Sequence, residues 1–375
     1  PATCPLGGGR AIQLCHRGLI EKHWSLRAGI ISHPKSAPHC RLLLTFSDKF
    51  NTINLCSNLY IYSMSATIIP FERPRNETVM SLCSLVPETA MTAELLGTER
   101  QSNAIQISPD GLMLTVGYSI MEATEVWISN RKGQTAEGII LAHDYDSGLA
   151  LIRPSASLGK AYLETDSADT INIGDQVEVL TSENNKAMEA AIFAREQYAG
   201  RWEYLLEDAF YTIPLCEHWS GAALINQEGK LCGIGSLALG LKGPTGDIVP
   251  GNLFIPTDLV MPYLDYMSKH GQKPGSRRPW LGALVEEHES ELCVVGLYMG
   301  APAAMAGIRT GDIILSVDSQ PVSSMAGFFR TLWHYGPAGS KIPLTLKAGD
   351  STREVMLDTI DRNTFFIQHS QNMFS

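Results

Sequence analysis

The stretch Cys-Glu-His-Trp-Ser-Gly-Ala-Ala-Leu, at residues 216–224, decides the fold that this sequence predicts. It places one serine, Ser220, in a turn of small residues that leads into an apolar strand. Residues 226–230 then predict a hairpin turn, and residues 231–235 predict the returning strand. A serine at the tip of such a turn is a candidate nucleophile, provided that a base lies within hydrogen-bond distance. Most Ser-Gly pairs are simple turns, so the rest of the chain has to supply the base.

The composition predicts a globular protein of two or three domains. The chain has 375 residues, of which 44% are hydrophobic and 18% charged, and no apolar run is long enough to span a membrane. Residues 1–63 carry a net charge of +5 and the remainder −15, which argues against nucleic acid as the main partner. The eight cysteines form no Cys-x-x-Cys pair, so neither a metal site nor a cofactor is predicted. Cys232 and Cys293, in apolar strands, are interpreted as buried thiols of a reducing compartment.

The first 63 residues differ from the rest of the chain. They begin with Pro1, show no lasting periodicity and contain four of the ten histidines. We interpret residues 1–63 as an atypical extension, either non-native or disordered, with the functional start at Met64. A secretory signal pattern is not recognised, which favours the cytoplasm.

The remaining residues divide into four segments by pattern. Residues 64–268 contain short strands separated by turns, which is typical of an all-β sandwich or barrel. An amphipathic helix is predicted at residues 257–267, near the end of this segment. Residues 269–279 are rich in Gly, Pro, Lys and Arg and predict a linker. Residues 280–360 predict a small unit of strands and two helices, and residues 361–375 a tail.

The motifs resemble the HtrA (Deg) family of serine proteases over roughly residues 90–360. The hairpin at 107–115, the strand that follows Gly148, the serine turn at 220–226 and the Leu-Phe-Ile-Pro strand at 253–256 occur in the family's order. In the smaller unit, residues 280–282, 301–307 and 311–314 are similar to the family's PDZ domain. The resemblance implies a mainly all-β fold, with a chymotrypsin-like double β-barrel followed by a small α+β PDZ domain. It also implies a role in protein quality control, homotrimers, and the periplasm as the alternative compartment.

The resemblance assigns the catalytic positions one by one, and most are substituted. Ser220 occupies the nucleophile position. Tyr118 stands where the family has its histidine, and a phenol with an ordinary pKa near ~10 is a poor base at neutral pH. Gly148 stands where the family has its aspartate and has no side chain to orient a base. His218 replaces a glycine of the oxyanion loop, where it is expected to strain the loop or turn the N–H donor away.

Three further residues were considered as replacements. His143 lies at the end of a strand, five residues before Gly148, and is a candidate base, although a surface histidine is the simpler interpretation. Asp144 and Asp146 could replace the acid, but an orienting acid is of little use without a base. The sequence therefore favours a protease fold without catalytic activity over an active enzyme.

The PDZ-like unit supplies a second candidate site. PDZ domains bind an extended C-terminal peptide along a strand edge, while backbone N–H groups of a glycine-containing loop hold its carboxylate. By resemblance, that loop is Trp280, Leu281, Gly282 and Ala283. Phe328 and Leu332 of a helix predicted at 323–334 are expected to line the pocket, unless they belong to the core. Four glutamates near the edge strand, at positions 286, 287, 289 and 291, predict a preference for basic peptides.

The sequence supports three functional hypotheses. The first is a non-catalytic scaffold that binds peptides or protein C-termini through the PDZ domain and assembles as a homotrimer or with active paralogues. The second is an active serine endopeptidase in which Ser220 uses a non-standard base such as His143. The third is a chaperone-like holdase that uses the vacant cleft.

Overall fold

Two closed β-barrels with the same strand connectivity form the larger part of the structure. The computed structural model describes residues 76–184 and 186–372, so the predicted extension at 1–63 and the proposed start at Met64 lie outside the described residues. The first barrel has the order β1-β2-β3-β6-β5-β4. Its strands are β1 (Val79–Leu85), β2 (Glu99–Gln106), β3 (Met113–Val116), β4 (Glu125–Ser129), β5 (Thr135–Asp144) and β6 (Leu149–Pro154).

The second barrel repeats this arrangement with the order β10-β11-β12-β9-β8-β7. The expected all-β double barrel is thereby confirmed. The helix α1 (Ala93–Leu96) precedes β2 in the first barrel. The strands of the second are β7 (Gln176–Leu180), β8 (Met188–Gly200), β9 (Tyr204–Ile213), β10 (Ala223–Ile225), β11 (Leu231–Lys242) and β12 (Ile248–Pro256).

The helix predicted at residues 257–267 was wrong in extent. Two single 3₁₀ turns, Thr257–Leu259 and Met261–Tyr263, come first, and only α2 (Leu264–His270) is α-helical. Pro262 explains the difference, because proline lacks the N–H that a helix interior requires and its ring clashes with the preceding turn.

A third unit begins after α2 and contains a single antiparallel sheet. Its strand order is β13-β14-β15-β17-β18, with β16 paired to β15, so that β13 lies at an edge. The elements are β13 (Ala283–His288), β14 (Glu291–Leu297), α3 (Pro302–Met305), β15 (Ile313–Val317), β16 (Gln320–Pro321), α4 (Met325–Tyr335), β17 (Lys341–Ala348) and β18 (Ser351–Asp358). The helix α4 begins as predicted, with Ser324 accepting a hydrogen bond from the Gly327 N–H.

The predicted tail forms a fifth helix, α5 (Arg362–Asn372). Phe365 and Phe366 are buried and pack on Trp280, with ring centroids 4.9 and 5.7 Å from it. These aromatic side chains, with Met121 of the first barrel, form a separate apolar cluster. The end of the chain is thereby fixed near the start of the third unit. Among the described residues, no helix combines the length and the apolar character needed to cross a bilayer.

Candidate functional site

The serine turn is held rigidly between the two barrels. The Asn103 N–H donates to the carbonyl of Ser220 at 2.8 Å, and the Gly221 N–H donates to the carbonyl of Gly235 at the same distance. Gly221 has φ +69°, and a Cβ atom there would lie 2.1 Å from the Asn103 carbonyl oxygen. The positive φ and the close approach of the Asn103 carbonyl each exclude a residue with a side chain, so position 221 requires glycine. The backbone thus presents Ser220 at a fixed position.

The structure brings Tyr118 and Ser220 together. Tyr118 Oη lies 3.0 Å from Ser220 Oγ and 2.8 Å from the carbonyl oxygen of Ser236. Burial raises the pKa of Tyr118 to about 12, although its hydrogen bonds to Ser220 and Trp219 act in the opposite direction. Tyr118, which the resemblance places at the family's histidine position, thus meets Ser220 with a group that retains its proton at neutral pH.

Arg100 fixes the segment that carries Tyr118. Its guanidinium donates to the carbonyls of Tyr118 at 2.9 Å and Met121 at 2.8 Å, and to Oγ1 of Thr92 at 2.8 Å. Burial lowers the pKa of Arg100 to about 10, and the charge of Glu122 partly offsets this effect. Arg100 remains charged at neutral pH and ties the short 3₁₀ turn Gly117–Ser119 to the barrel.

The space beside Gly148 is filled by Tyr204. Gly148 has φ +76°, and a Cβ atom built on it would lie 2.9 Å from Tyr204 Oη and 3.1 Å from Tyr204 Cε2. Tyr204 is buried and donates a 2.6 Å hydrogen bond to the carbonyl of Ser147. An aspartate side chain at position 148 would collide with this ring. Position 148, where the resemblance places the family's aspartate, therefore has no acidic side chain and no space for one.

His143 lies near Gly148, but its imidazole faces the ring of Tyr145. Its imidazole stacks on Tyr145, with centroids 3.9 Å apart, and its Nε2 lies 2.2 Å from where a Gly117 Cβ would stand. Burial, together with the charge of Arg362, lowers the pKa of His143 to about 3. The surface interpretation of His143 was therefore wrong, because it is largely buried. Such a low pKa makes the imidazole a weak base.

The two aspartates considered as replacement acids have other partners. Asp144 is buried, forms an ion pair with Lys273 at 2.8 Å and accepts a hydrogen bond from the Ser147 N–H. Asp146 lies 3.5 Å from Arg278. Burial raises the pKa of Asp146, although the positive charge of Arg278 acts to lower it. Both carboxylates are thus engaged with the segment after α2 and not with Tyr118.

His218 adopts a negative φ, so histidine in place of the family's glycine does not force a left-handed backbone at this position. Its carbonyl accepts a 3.0 Å hydrogen bond from the side-chain amide of Asn103. Burial raises the pKa of the Cys216 thiol, and the His218 N–H partly offsets this rise. The turned-away oxyanion donor expected at His218 stays a prediction.

A small cavity remains beside Tyr118. It measures about 30 Å³ and is lined by residues of both barrels together with Arg362. One or two water molecules would fill it, whereas a substrate side chain would not fit. The described residues contain no group of three or more His, Cys, Asp or Glu side chains arranged to hold a metal ion.

The glycine loop of the third unit holds a carboxylate from the second barrel. The N–H groups of Leu281, Gly282 and Ala283 donate to the side chain of Glu203, at distances of 2.7 to 3.2 Å. Glu203 is only 5% exposed. Burial raises its pKa to about 7, while the three N–H groups and Arg362 act to lower it. Sequence reasoning missed Glu203, because it is 78 residues from Leu281 and no local pattern marks it.

The other predicted peptide-binding residues divide into two groups. Phe328 and Leu332 are completely buried, in the same apolar cluster as Leu205 of β9. Trp280 was predicted as the first residue of the loop, but none of the loop N–H groups that reach Glu203 belongs to it. Its N–H donates to the carbonyl of Ile360 and its ring packs on Tyr298 and α5, because the aromatic side chains of α5 offer it a larger apolar surface.

Comparisons with known proteins agree with this architecture. The model of the trypsin-like peptidase domain matches residues 103–234, and that of the PDZ domain matches residues 279–359. The periplasmic serine endoprotease DegP of Escherichia coli K12 is 26% identical over 267 residues, which are 65% of this chain and 53% of DegP. The serine endoprotease DegS of Haemophilus influenzae is 24% identical over 253 residues, 65% of this chain and 72% of DegS.

Solved structures of the same type are also similar. The HtrA-type protease AlgW with a decapeptide is 20% identical, with a TM-score of 0.47 and coverage of 77% of this chain and 97% of AlgW. The chain spans about half the length of the DegP relatives that it matches.

Proposed function

Because the chain is an HtrA/Deg-type protein, with a trypsin-like peptidase domain followed by a C-terminal PDZ domain, we propose that it acts as a non-catalytic scaffold that binds protein C-termini. The observation that carries this proposal is the contact between Tyr118 and Ser220. Acyl transfer needs a base that removes the serine proton near neutral pH. A phenol with a pKa of about 12 does not act as that base at pH 7.

One further contact supports the absence of catalysis. Tyr204 takes the space that an acidic side chain at position 148 would need. Loss of triad members costs on the order of 10⁴–10⁶ in turnover. The 30 Å³ cavity is too small for a client side chain, which favours a PDZ-based scaffold over a holdase that uses the cleft.

The catalytic half of the proposal is tested by active-site labelling. The purified full chain is treated with a fluorophosphonate probe and assayed for casein cleavage, with Ser220→Ala as the matched control and E. coli DegP as the positive control. We expect neither labelling nor cleavage above the Ser220→Ala background. Labelling that disappears in Ser220→Ala would establish an active serine and overturn this half of the proposal.

The binding half is tested with peptides. A fluorescein-labelled peptide with basic residues and a C-terminal leucine is titrated with the full chain, beside the same peptide as its C-terminal amide. Binding of the free carboxylate form alone is expected, because the loop donates N–H groups to a negative charge. Assembly as a homotrimer, or with active paralogues, in a protein quality-control role, is part of the proposal. Analytical ultracentrifugation of the full chain checks the trimer.

A further inference from the structure

The PDZ groove is in contact with a segment of the chain itself. The turn between β8 and β9, residues 201–203, and the first residues of β9 lie against the edge strand β13 and the helix α4. The Val285 N–H, on the free edge of β13, donates to the carbonyl of Arg201 at 2.8 Å. This is the type of backbone contact by which a peptide strand extends a sheet.

The direction of this segment matches that of a bound C-terminus. Arg201 meets Val285, and Glu203, two residues later, meets the loop at residues 281–283. The segment therefore runs antiparallel to β13 and ends its contact at the glycine loop. A C-terminal peptide has the same orientation, because its last carboxylate must reach that loop.

Glu203 supplies the carboxylate. Its Oε1 accepts from Gly282 at 2.7 Å and from Leu281 and Ala283 at 3.2 Å each, while its Oε2 accepts from Leu281 at 3.0 Å. Gly282 has φ +74°, and a Cβ there would lie 2.2 Å from the Ala301 Cβ. The loop therefore has the conformation that aims three successive N–H groups at one anion.

Leu205 supplies the apolar side chain. It is 4% exposed and belongs to the cluster that includes Phe328 and Leu332 of α4. These are the residues predicted to line the pocket for the last side chain of a ligand. Arg201 also pairs with Glu286 of β13, at 3.1 Å, which matches the basic preference predicted for this edge.

The backbone of Glu203 indicates that this arrangement is specific. Its φ is +56°, in the left-handed region that side chains other than glycine, asparagine and aspartate rarely adopt. A strained residue persists where surrounding contacts hold it. Here the residue lies in the turn between β8 and β9, and its carboxylate is also hydrogen-bonded to the loop.

We infer that residues 201–205 are an internal ligand of the PDZ groove, which a peptide with a free C-terminal carboxylate and a leucine-like last side chain must displace. This inference rests on the proposed peptide-binding function. The internal segment also describes the ligand: a carboxylate at the loop, an apolar side chain in the pocket and a basic residue facing Glu286.

The test compares Glu203→Ala with Glu189→Ala, an exposed acidic residue on β8 of the same hairpin. The labelled leucine-terminated peptide described above is titrated with each full-length variant. Glu203→Ala is expected to bind it at least about tenfold more tightly than the wild type, because the internal segment loses its hydrogen bonds to the loop. Glu189→Ala is expected to match the wild type.

Hydrogen exchange of the Gly282 and Ala283 amides provides a readout that needs no peptide. Their protection is expected to fall in Glu203→Ala and to stay unchanged in Glu189→Ala. Unchanged protection, or equal peptide affinity in the wild type and Glu203→Ala, overturns the inference while leaving peptide binding in place. Loss of protection without binding of any carboxylate peptide contradicts the proposed function instead.

Discussion

Alanine substitutions at two glycines, made one at a time, distinguish the steric clash with Tyr204 from the cost of left-handed backbone alone. Gly148 and Gly133 both lie in the first barrel, with φ of +76° and +78°. Alanine at either position is expected to cost about 1–2 kcal/mol, because left-handed backbone is disfavoured for residues with a Cβ. At Gly133 a Cβ meets no atom within 4 Å, whereas at Gly148 it lies 2.9 Å from Tyr204 Oη. Overpacking there adds about 1–3 kcal/mol.

The measurement is urea unfolding of the full chain, followed by circular dichroism. Both glycines lie in the same barrel, so the same transition reports both variants and the comparison does not depend on the other domains. We expect Gly148→Ala to lower the free energy of unfolding by about 2–5 kcal/mol and Gly133→Ala by about 1–2 kcal/mol. Equal losses would refute the conclusion that Tyr204 fills the acid position.

Three further predictions concern the two sites. Burial raises the pKa of Glu203 to about 7, although the loop N–H groups and Arg362 act to lower it. Keeping Glu203 in the groove is therefore most favourable below its ordinary pKa of 4.5, where the side chain is neutral, and becomes less favourable as pH rises through 7; Arg362 and Tyr298 are the charged and titratable neighbours. Peptide affinity in the wild type should therefore rise by up to about tenfold between pH 6 and pH 8, and anisotropy titrations should show no such rise in Glu203→Ala. Glu286→Lys should reverse the preference for basic over acidic peptides in the same titrations, since the edge then repels basic side chains, and an unchanged preference would contradict the role given to this edge. The double variant Tyr118→His with Gly148→Asp should still resist fluorophosphonate labelling, because Tyr204 blocks the aspartate; labelling at the DegP rate would contradict this.

The parts of the fold that depend on local pattern could be predicted from sequence. The pattern of short strands and turns predicted an all-β sandwich or barrel, and the resemblance to the HtrA family implied the double barrel and placed Tyr118 at the histidine position near Ser220. The helix at residues 257–267 failed because Pro262 interrupts an otherwise amphipathic pattern. Helix α5 was missed because two adjacent aromatic residues carry no helical periodicity.

The contacts that decide the sites could not be predicted in the same way. Tyr204 and Gly148 are 56 positions apart in the chain, and Glu203 is 78 positions from Leu281. Nothing in the sequence near Glu203 distinguishes it from a hairpin acid at the surface. Packing of the second barrel on the first brings Tyr204 to Gly148, and its packing on the third unit brings Glu203 to Leu281. Packing between domains leaves no local periodicity.

The contact between Tyr204 and Gly148 and the PDZ groove are linked through residues 203–205, so a change at one should affect the other. Successive side chains of a strand point to opposite faces, so Tyr204, at the start of β9, reaches Ser147 beside Gly148, while Leu205 packs into the core of the third unit. Glu203, in the turn just before β9, reaches the glycine loop. A side chain that pushes on Tyr204 should therefore weaken the internal ligand, because coupling between two sites acts equally in both directions. Gly148→Ala should bind the leucine-terminated peptide about fivefold more tightly than Gly133→Ala, if about 1 kcal/mol of the overpacking is relieved when residues 201–205 leave the groove. The control shares the backbone strain but not the contact with Tyr204. Equal affinities in the two variants would mean that the acid position and the groove are energetically independent.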